Sequence, residues 1–258
     1  MIKSDIGRLR YVLLLPSGLV VLLIAWQIIS HSGVFPEYFL PSLGEIGSAG
    51  VELIKTGGYV GDILASVKRV ILAFGLATVF GIPLGLAMGL NVNIAVALEP
   101  LVGFVRYLPV AGIIPLSILW LGIGDVQKIA IIFIGTFFQL VPMVMDTVDE
   151  LPGEFLDTAR TLGAGDIELI RNVVAPFLAP RIYGVLRISM GIAWTYLVVA
   201  EIVAAAAGIG HVIIEAQRYF RTEYIFVGIG TVGLLGFMFD VFFRVSQGAM
   251  FPWYDPND

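Results

Sequence analysis

The residues of this sequence with most chemistry to offer are the few ionisable side chains set inside long apolar runs: Arg187, Glu201, Asp240 and Arg244. A charge in hydrocarbon is costly, so each must pair, reach the water interface, or line a polar pathway. Asp240 and Arg244 are four apart on one helical face, the spacing of a local ion pair. Arg187 and Glu201 lie in one run but roughly 21 Å apart at 1.5 Å per helical residue, too far to pair. Arg187 then belongs near one membrane boundary and Glu201 near the other, each snorkelling or bonding another helix. A gate and a structural anchor suit Glu201 equally. Thr136, Gln139, Ser189 and Trp194 add polar groups within apolar runs and could line a pathway or satisfy local helix contacts.

Other chemistries find little support. There is no cysteine, which removes disulfides, thiolate metal sites and cysteine nucleophiles, and the two histidines, His31 and His211, sit in polar breaks. A proton relay needs a chain of acidic or histidine groups at depth, and an intramembrane enzyme needs a set such as HExxH or paired buried aspartates; neither is present. The glycines 228, 230 and 233 spell GxGxxG, but within an apolar helix rather than a strand-to-helix turn, so they are no dinucleotide loop. Gly233 and Gly236 are expected to serve close helix contact instead. The chain has no GxxxxGK[ST] phosphate loop. Its basic residues are scattered, its formal charge is -5, and nucleic acid is excluded as a partner.

The elements that must position these groups follow from composition. Of 258 residues 58% are hydrophobic and 14% charged, and the mean hydropathy is +0.94; a soluble domain carries about a quarter charged residues. Apolar runs at residues 11–29, 70–90, 102–121, 129–148, 182–206 and 224–245 have the bilayer-spanning length of ~20 residues. Each must be helical, because lipid offers backbone amides no partner, and strand-length alternation is lacking. The expectation is an all-α polytopic membrane protein of about six spans forming a single domain over residues 1–258. The first run is read as a retained span rather than a signal peptide, since it leads into Trp26, Gln27 and His31 and not a small-residue cleavage site. Residues 36–58 read as a long polar stretch and 91–93 as a short turn. Gly81, Gly85 and Gly89 recur every four residues, a face that lets another helix approach closely.

Orientation follows from charge. With the first residues in the cytoplasm, Lys3, Arg8, Arg10, Arg106, Arg160, Arg171, Arg181, Arg187 and Arg244 fall inside. Lys68 and Arg69, at the outer start of the second span, oppose that bias. Six spans then place both termini and the hydrophilic insert 149–181 on the cytoplasmic side.

That insert is periodic without being long enough to span. Phe155, Ala159 and Leu162 share one helical face, with Asp157, Arg160 and Thr161 on the other. Gly163, Ala164 and Gly165 break the helix, Asp166 can cap a second one through Ile167, Ile170 and Val174, and Pro176 and Pro180 end it. The result is a helix, turn and helix lying flat at the membrane surface. A lipid-resting helix favours Lys and Arg, whereas Asp149, Glu150, Glu154, Asp157, Asp166 and Glu168 make this insert acidic, which points to docking of a soluble partner.

The stretch DTARTLGAGDIELIRNVVAPFLAP, residues 157–180, resembles the EAA loop of permeases from binding-protein-dependent ABC importers. The family's second alanine and the glycine four residues later match Ala159 and Gly163. Its leading glutamate and first alanine correspond to Asp157 and Thr158, and its distal isoleucine, leucine and proline to Val173, Ala175 and Pro176. FVRYLPVAGIIPLSILWLGIGD, residues 104–125, and AEIVAAAAGIGHVIIEAQRYF, residues 200–220, are similar to the branch serving nitrate, sulfonate, taurine and bicarbonate.

The resemblance implies a type I importer permease in the bacterial cytoplasmic membrane. Two copies of the chain would pair, and two cytoplasmic ATPase subunits would bind ATP and magnesium and each receive one coupling helix. An extracytoplasmic solute-binding protein would deliver a small anion, and the chain itself would hold no cofactor and hydrolyse nothing. The alternative from the residues alone is a self-contained channel or secondary transporter, which needs a path of intramembrane charges.

Overall fold

The computed structural model describes residues 17–36, 38–203 and 205–254, and all regular structure among them is helical. In chain order the helices are α1 (Ser17–His31), α2 (Leu43–Lys55), α3 (Tyr59–Leu90), α4 (Val92–Arg106), α5 (Val110–Leu121), α6 (Asp125–Asp149), α7 (Gly153–Thr161), α8 (Asp166–Leu169), a π-helical turn Ile170–Val174, α9 (Ala175–Ile202), α10 (Ile209–Arg218) and α11 (Thr222–Met250).

Among the described residues, four helical stretches are long and apolar enough to cross a bilayer: Tyr59–Leu90, Asp125–Asp149, Ile167–Ile202 and Thr222–Met250. The expected third span is a pair, α4 and α5, bent by 94°. Pro109, which has no N–H to continue α4 and sits at the N-cap of α5, stands at the bend. Helix α1 is the described part of the first expected span, whose residues 11–16 lie outside the described residues. The polar stretch 36–58 is not continuous loop. It contains α2, opened by a capping box in which Ser42 Oγ accepts the Glu45 N–H at 3.2 Å and the Glu45 carboxylate accepts the Ser42 N–H at 2.7 Å.

The glycine spacing of α3 sets the centre of the bundle. A Cβ at Gly81 would stand 2.9 Å from Leu140, one at Gly85 2.7 Å from both Val141 O and Val144 Cβ, and one at Gly89 2.6 Å from Val148 Cβ. Only bare backbone lets α3 lie this close to α6. Around this seam Ala77, Leu140, Val144, Val174 and Leu178 form one core cluster, and Val70, Ile131, Ile132, Ala193 and Leu197 another. The glycines of α11 behave differently from expectation. Gly228 is the close contact, with its would-be Cβ 2.5 Å from Ile213, whereas Gly233 faces open space and Gly236 only touches Trp194 at 3.9 Å.

Helices α3, α6 and α9 therefore run side by side with two functional ends. The 149–181 insert joins α6 to α9 at one end. The start of α6, the finish of α9 and the short α10 meet at the other.

Candidate functional site

At the insert end, α7 finishes where the sequence breaks it. The Ala164 N–H donates to the Ala159 carbonyl at 3.0 Å and the Gly163 N–H to the Arg160 carbonyl at 2.9 Å. This paired closure places Gly163 at the position that needs a left-handed residue, and its φ is +87°. Asp157 and Thr158 are exposed and Ala159 half-buried. Of the apolar face expected on α7, Phe155 is 50% exposed and Leu162 83%, while the neighbouring Leu156 packs inward. Phe155 meets the ring of Phe177 on α9 edge-on at 6.1 Å, and Leu162 is the member of the face that points away from the bundle.

The second helix of the insert departs from expectation. It starts at Asp166, whose side chain lies outside the described residues, and the Glu168 carboxylate accepts the Gly165 N–H at 3.2 Å. It does not stop at Pro176 or Pro180 but continues into the span as α9. At Pro176 the reason is the π turn: the Ala175 N–H donates to the Ile170 carbonyl, five residues back. The wider turn removes the α-helical register in which the proline ring of Pro176 would meet a carbonyl, so the chain passes through it. Val173 within that turn is half-buried and Pro176 exposed.

At the opposite end lies a buried ionic network that the sequence did not suggest. Arg69 is 5% exposed, and its Nη1 donates to Glu201 Oε1 at 2.6 Å and to the Ala207 carbonyl at 2.8 Å. Its Nε and Nη2 donate to Asp125 Oδ1 at 2.8 and 2.6 Å. Glu201 is fully buried. The carboxylate also accepts the Ser66 hydroxyl at 2.8 and 2.9 Å and the Gly210 N–H at 2.9 Å.

The first amides of α10 complete the arrangement: the Gly208 N–H donates to Asp62 at 2.7 Å and the Ile209 N–H to Ser66 Oγ at 2.9 Å. A helix N-terminus thus receives two carboxylates and a hydroxyl, where its orphan donors and positive dipole end stabilise negative charge. The backbone must come very close to do this. Gly208 has φ +120°, and a Cβ there would stand 2.5 Å from Glu201 Oε1. Lys128, 2% exposed, lies one turn into α6 with Nζ 3.4 Å from the Gly124 carbonyl. The network fastens α3, α6, α9 and α10 together. Within it the Glu201 carboxylate is bonded to Arg69 of α3, Ser66 of α3 and Gly210 of α10.

The remaining candidates are dispersed. Thr136 and Ser189 are fully buried, Trp194 is 2% exposed, and Gln139 is half-buried. Thr136 Oγ1, Ser189 Oγ and Trp194 Nε1 have no hydrogen-bond partner among the described residues. Asp240 and Arg244 pair at 3.0 Å as their spacing requires, and Arg187 joins them with Nε 3.5 Å from the same carboxylate.

The two stretches similar to the importer branch now have a physical meaning. One closes on Asp125, and the other contains Glu201, Gly208 and Gly210, so both contribute a carboxylate to Arg69. A family model described as the binding-protein-dependent transport system inner membrane component matches residues 79–251. The chain belongs to this family.

The permease is similar at 33% identity over 230 residues to a probable ABC transporter permease protein of Brucella abortus (strain 2308), covering 89% of this chain and 91% of that one. It is 31% identical over 256 residues to the putative aliphatic sulfonates transport permease protein SsuC of Bacillus subtilis (strain 168), covering 98% and 92%. It is 29% identical over 250 residues to the taurine transport system permease protein TauC of Escherichia coli (strain K12), covering 95% and 91%. Among solved structures, the permease fold superimposes with a TM-score of 0.61 and 18% identity on a chain of the inward-facing MetNI methionine ABC transporter, covering 72% of this chain and 95% of that one. The permease is accordingly a multispan subunit of an ABC importer, and ATP hydrolysis belongs to a separate subunit.

Proposed function

We propose that this permease moves a small anion across the bacterial cytoplasmic membrane by alternating access, with taurine and aliphatic sulfonates as first candidates and nitrate and bicarbonate as the wider class. Two copies of the chain pair. Two ATPase subunits, which bind ATP and magnesium, each take one α7 helix in a groove, and an extracytoplasmic solute-binding protein delivers substrate at the opposite face. Both termini and the 149–181 insert lie in the cytoplasm, a placement supported by Arg106, Arg160, Arg171, Arg181, Arg187 and Arg244 on that side.

The observation that carries the coupling role is Leu162, 83% exposed at the C-cap of α7, an acidic helix at one end of the bundle. An apolar side chain that the bundle leaves uncovered at the end of a short polar helix is suited to a partner's groove. Asp157, Thr158, Ala159, Gly163, Val173 and Pro176 form the coupling set, with Gly163 allowing the tight exit from α7. For the pathway, the unpartnered polar atoms of Thr136, Ser189 and Trp194 support a route that opens between α6 and α9, because water admitted there would satisfy them. Gln139 lies on the same α6. Glu201 closes the outer end as the fixed point.

The test is Gly163→Asp in the full complex, reconstituted in proteoliposomes with its ATPase and binding protein. Membrane insertion and ATP hydrolysis persist, and taurine uptake falls about tenfold, about 1.4 kcal/mol of lost coupling. Uptake equal to that of the unaltered complex sinks the assignment of α7 as the coupling helix.

A further inference from the structure

Between α9 and α11, at the insert end of the bundle, lies a pocket of about 380 Å³ lined by Gly184, Arg187, Arg244, Gln247, Gly248 and Tyr254. Its charge is unbalanced. Two guanidinium groups share one carboxylate, Asp240, through single contacts of 3.5 Å from Arg187 Nε and 3.0 Å from Arg244 Nη2. Each guanidinium has five N–H donors in a planar fork, so most of them remain for an acceptor with several oxygens. The neighbouring Arg181 adds no net charge, because Glu150 pairs with it at 3.1 Å.

The surroundings say what such an acceptor carries. Phe237, Val241, Arg244 and Gly248 follow one another at helical spacing along one face of α11. Phe237 is 64% and Val241 39% exposed, so an open apolar strip leads directly from the pocket along the span. On the other side the chain leaves α11 through Phe251, Trp253 and Tyr254, an aromatic group of the kind that sits at headgroup level. Arg244 lies six residues before the end of α11, roughly 9 Å below it, within reach of that level by snorkelling. A free anion explains the arginines and leaves the strip unused. An amphiphile with a phosphate at one end fits both.

We propose that Arg187 and Arg244 bind the phosphate of an anionic phospholipid, with its acyl chain laid along Phe237 and Val241. Basic pockets between spans are a recognised setting for such headgroups. Asp240 then limits the affinity: it offsets one of the two arginine charges and occupies a donor of each.

The experiment is native mass spectrometry of the full chain, purified in mild detergent and titrated with phosphatidylglycerol or phosphatidylcholine. The expected result is one phosphatidylglycerol retained in preference to phosphatidylcholine, with Arg187→Gln/Arg244→Gln weakening retention about thirtyfold at roughly a fivefold effect per arginine. Asp240→Asn, which removes the internal carboxylate, tightens it. A merely structural ion pair would give weaker retention for Asp240→Asn, and that result overturns the proposal. Equal retention of the two lipids overturns it as an adventitious lipid, and displacement of phosphatidylglycerol by millimolar inorganic phosphate overturns it as a free-anion site.

Discussion

Replacing Arg69 by Met is the sharpest test of the buried network. The substitution keeps much of the side chain's length but leaves Glu201, which is fully buried, without its guanidinium and with Ser66 and Gly210 as its remaining donors among the described residues. Removing one partner of a buried pair costs about 3–5 kcal/mol, because the remaining charge is not compensated. Glu201→Gln is milder. Arg69 keeps both contacts to Asp125, and the carboxamide retains an oxygen for Gly210 or Ser66, so the loss is about 1–3 kcal/mol. In the double variant no stranded carboxylate remains at position 201, and the combined loss falls below the sum of the two by at least ~1 kcal/mol. Thermal unfolding of the detergent-purified permease, followed by loss of the monodisperse species, ranks the three. Arg69→Met no less stable than Glu201→Gln, or strictly additive losses, would refute the network as a charge-compensated clamp.

Three further outcomes are expected. Gly85→Ala forces α3 from α6 and lowers stability by about 1–3 kcal/mol, whereas Gly230→Ala, whose Cβ meets nothing within 4 Å, is neutral or slightly stabilising in the same unfolding assay. Gly208→Ala combines a strained φ with a clash on Glu201, and lowers the unfolding temperature at least as far as Glu201→Gln does. Hydrogen exchange at the start of α2 responds to pH through Glu45, whose carboxyl is held below its ordinary value first by the Ser42 backbone N–H and then by the Ser42 hydroxyl. A lowered folded-state value means that the cap's contribution is present above the usual carboxylate range and is lost as pH falls through the lowered value, so protection drops on acidification; Glu45→Gln abolishes that pH dependence.

Where the sequence was legible, the physics was local. The Gly81, Gly85 and Gly89 face, the Asp240–Arg244 pair and the break at Gly163 each depend on residues a few positions apart, and all three are found as their spacing requires. The network was missed because hydropathy windows stop at charges. The second and fourth apolar runs start at residues 70 and 129, one residue after Arg69 and Lys128, so neither charge belongs to a run, whereas α3 and α6 include both. The carboxylate that neutralises Arg69 lies 132 positions away. Asp62 and Ser66, one turn apart with Arg69 on the same helical face, were the available clue. Pro176 misled for a different reason: proline ends an α-helix, but a π turn just before it removes the conflict.

The length of α6 has a mechanical consequence. Its 25 residues make an arm of roughly 37 Å between the clamp at Asp125 and the insert that begins beyond Asp149. The glycine seam welds it to α3, so the two turn together. With the far end pinned by Arg69, a tilt of only ~5° sweeps the insert end through roughly 3 Å over that length. Small displacements of the insert end are therefore shared between the four-helix junction around Arg69 and the point within α6 where Pro142 interrupts the backbone hydrogen-bond ladder.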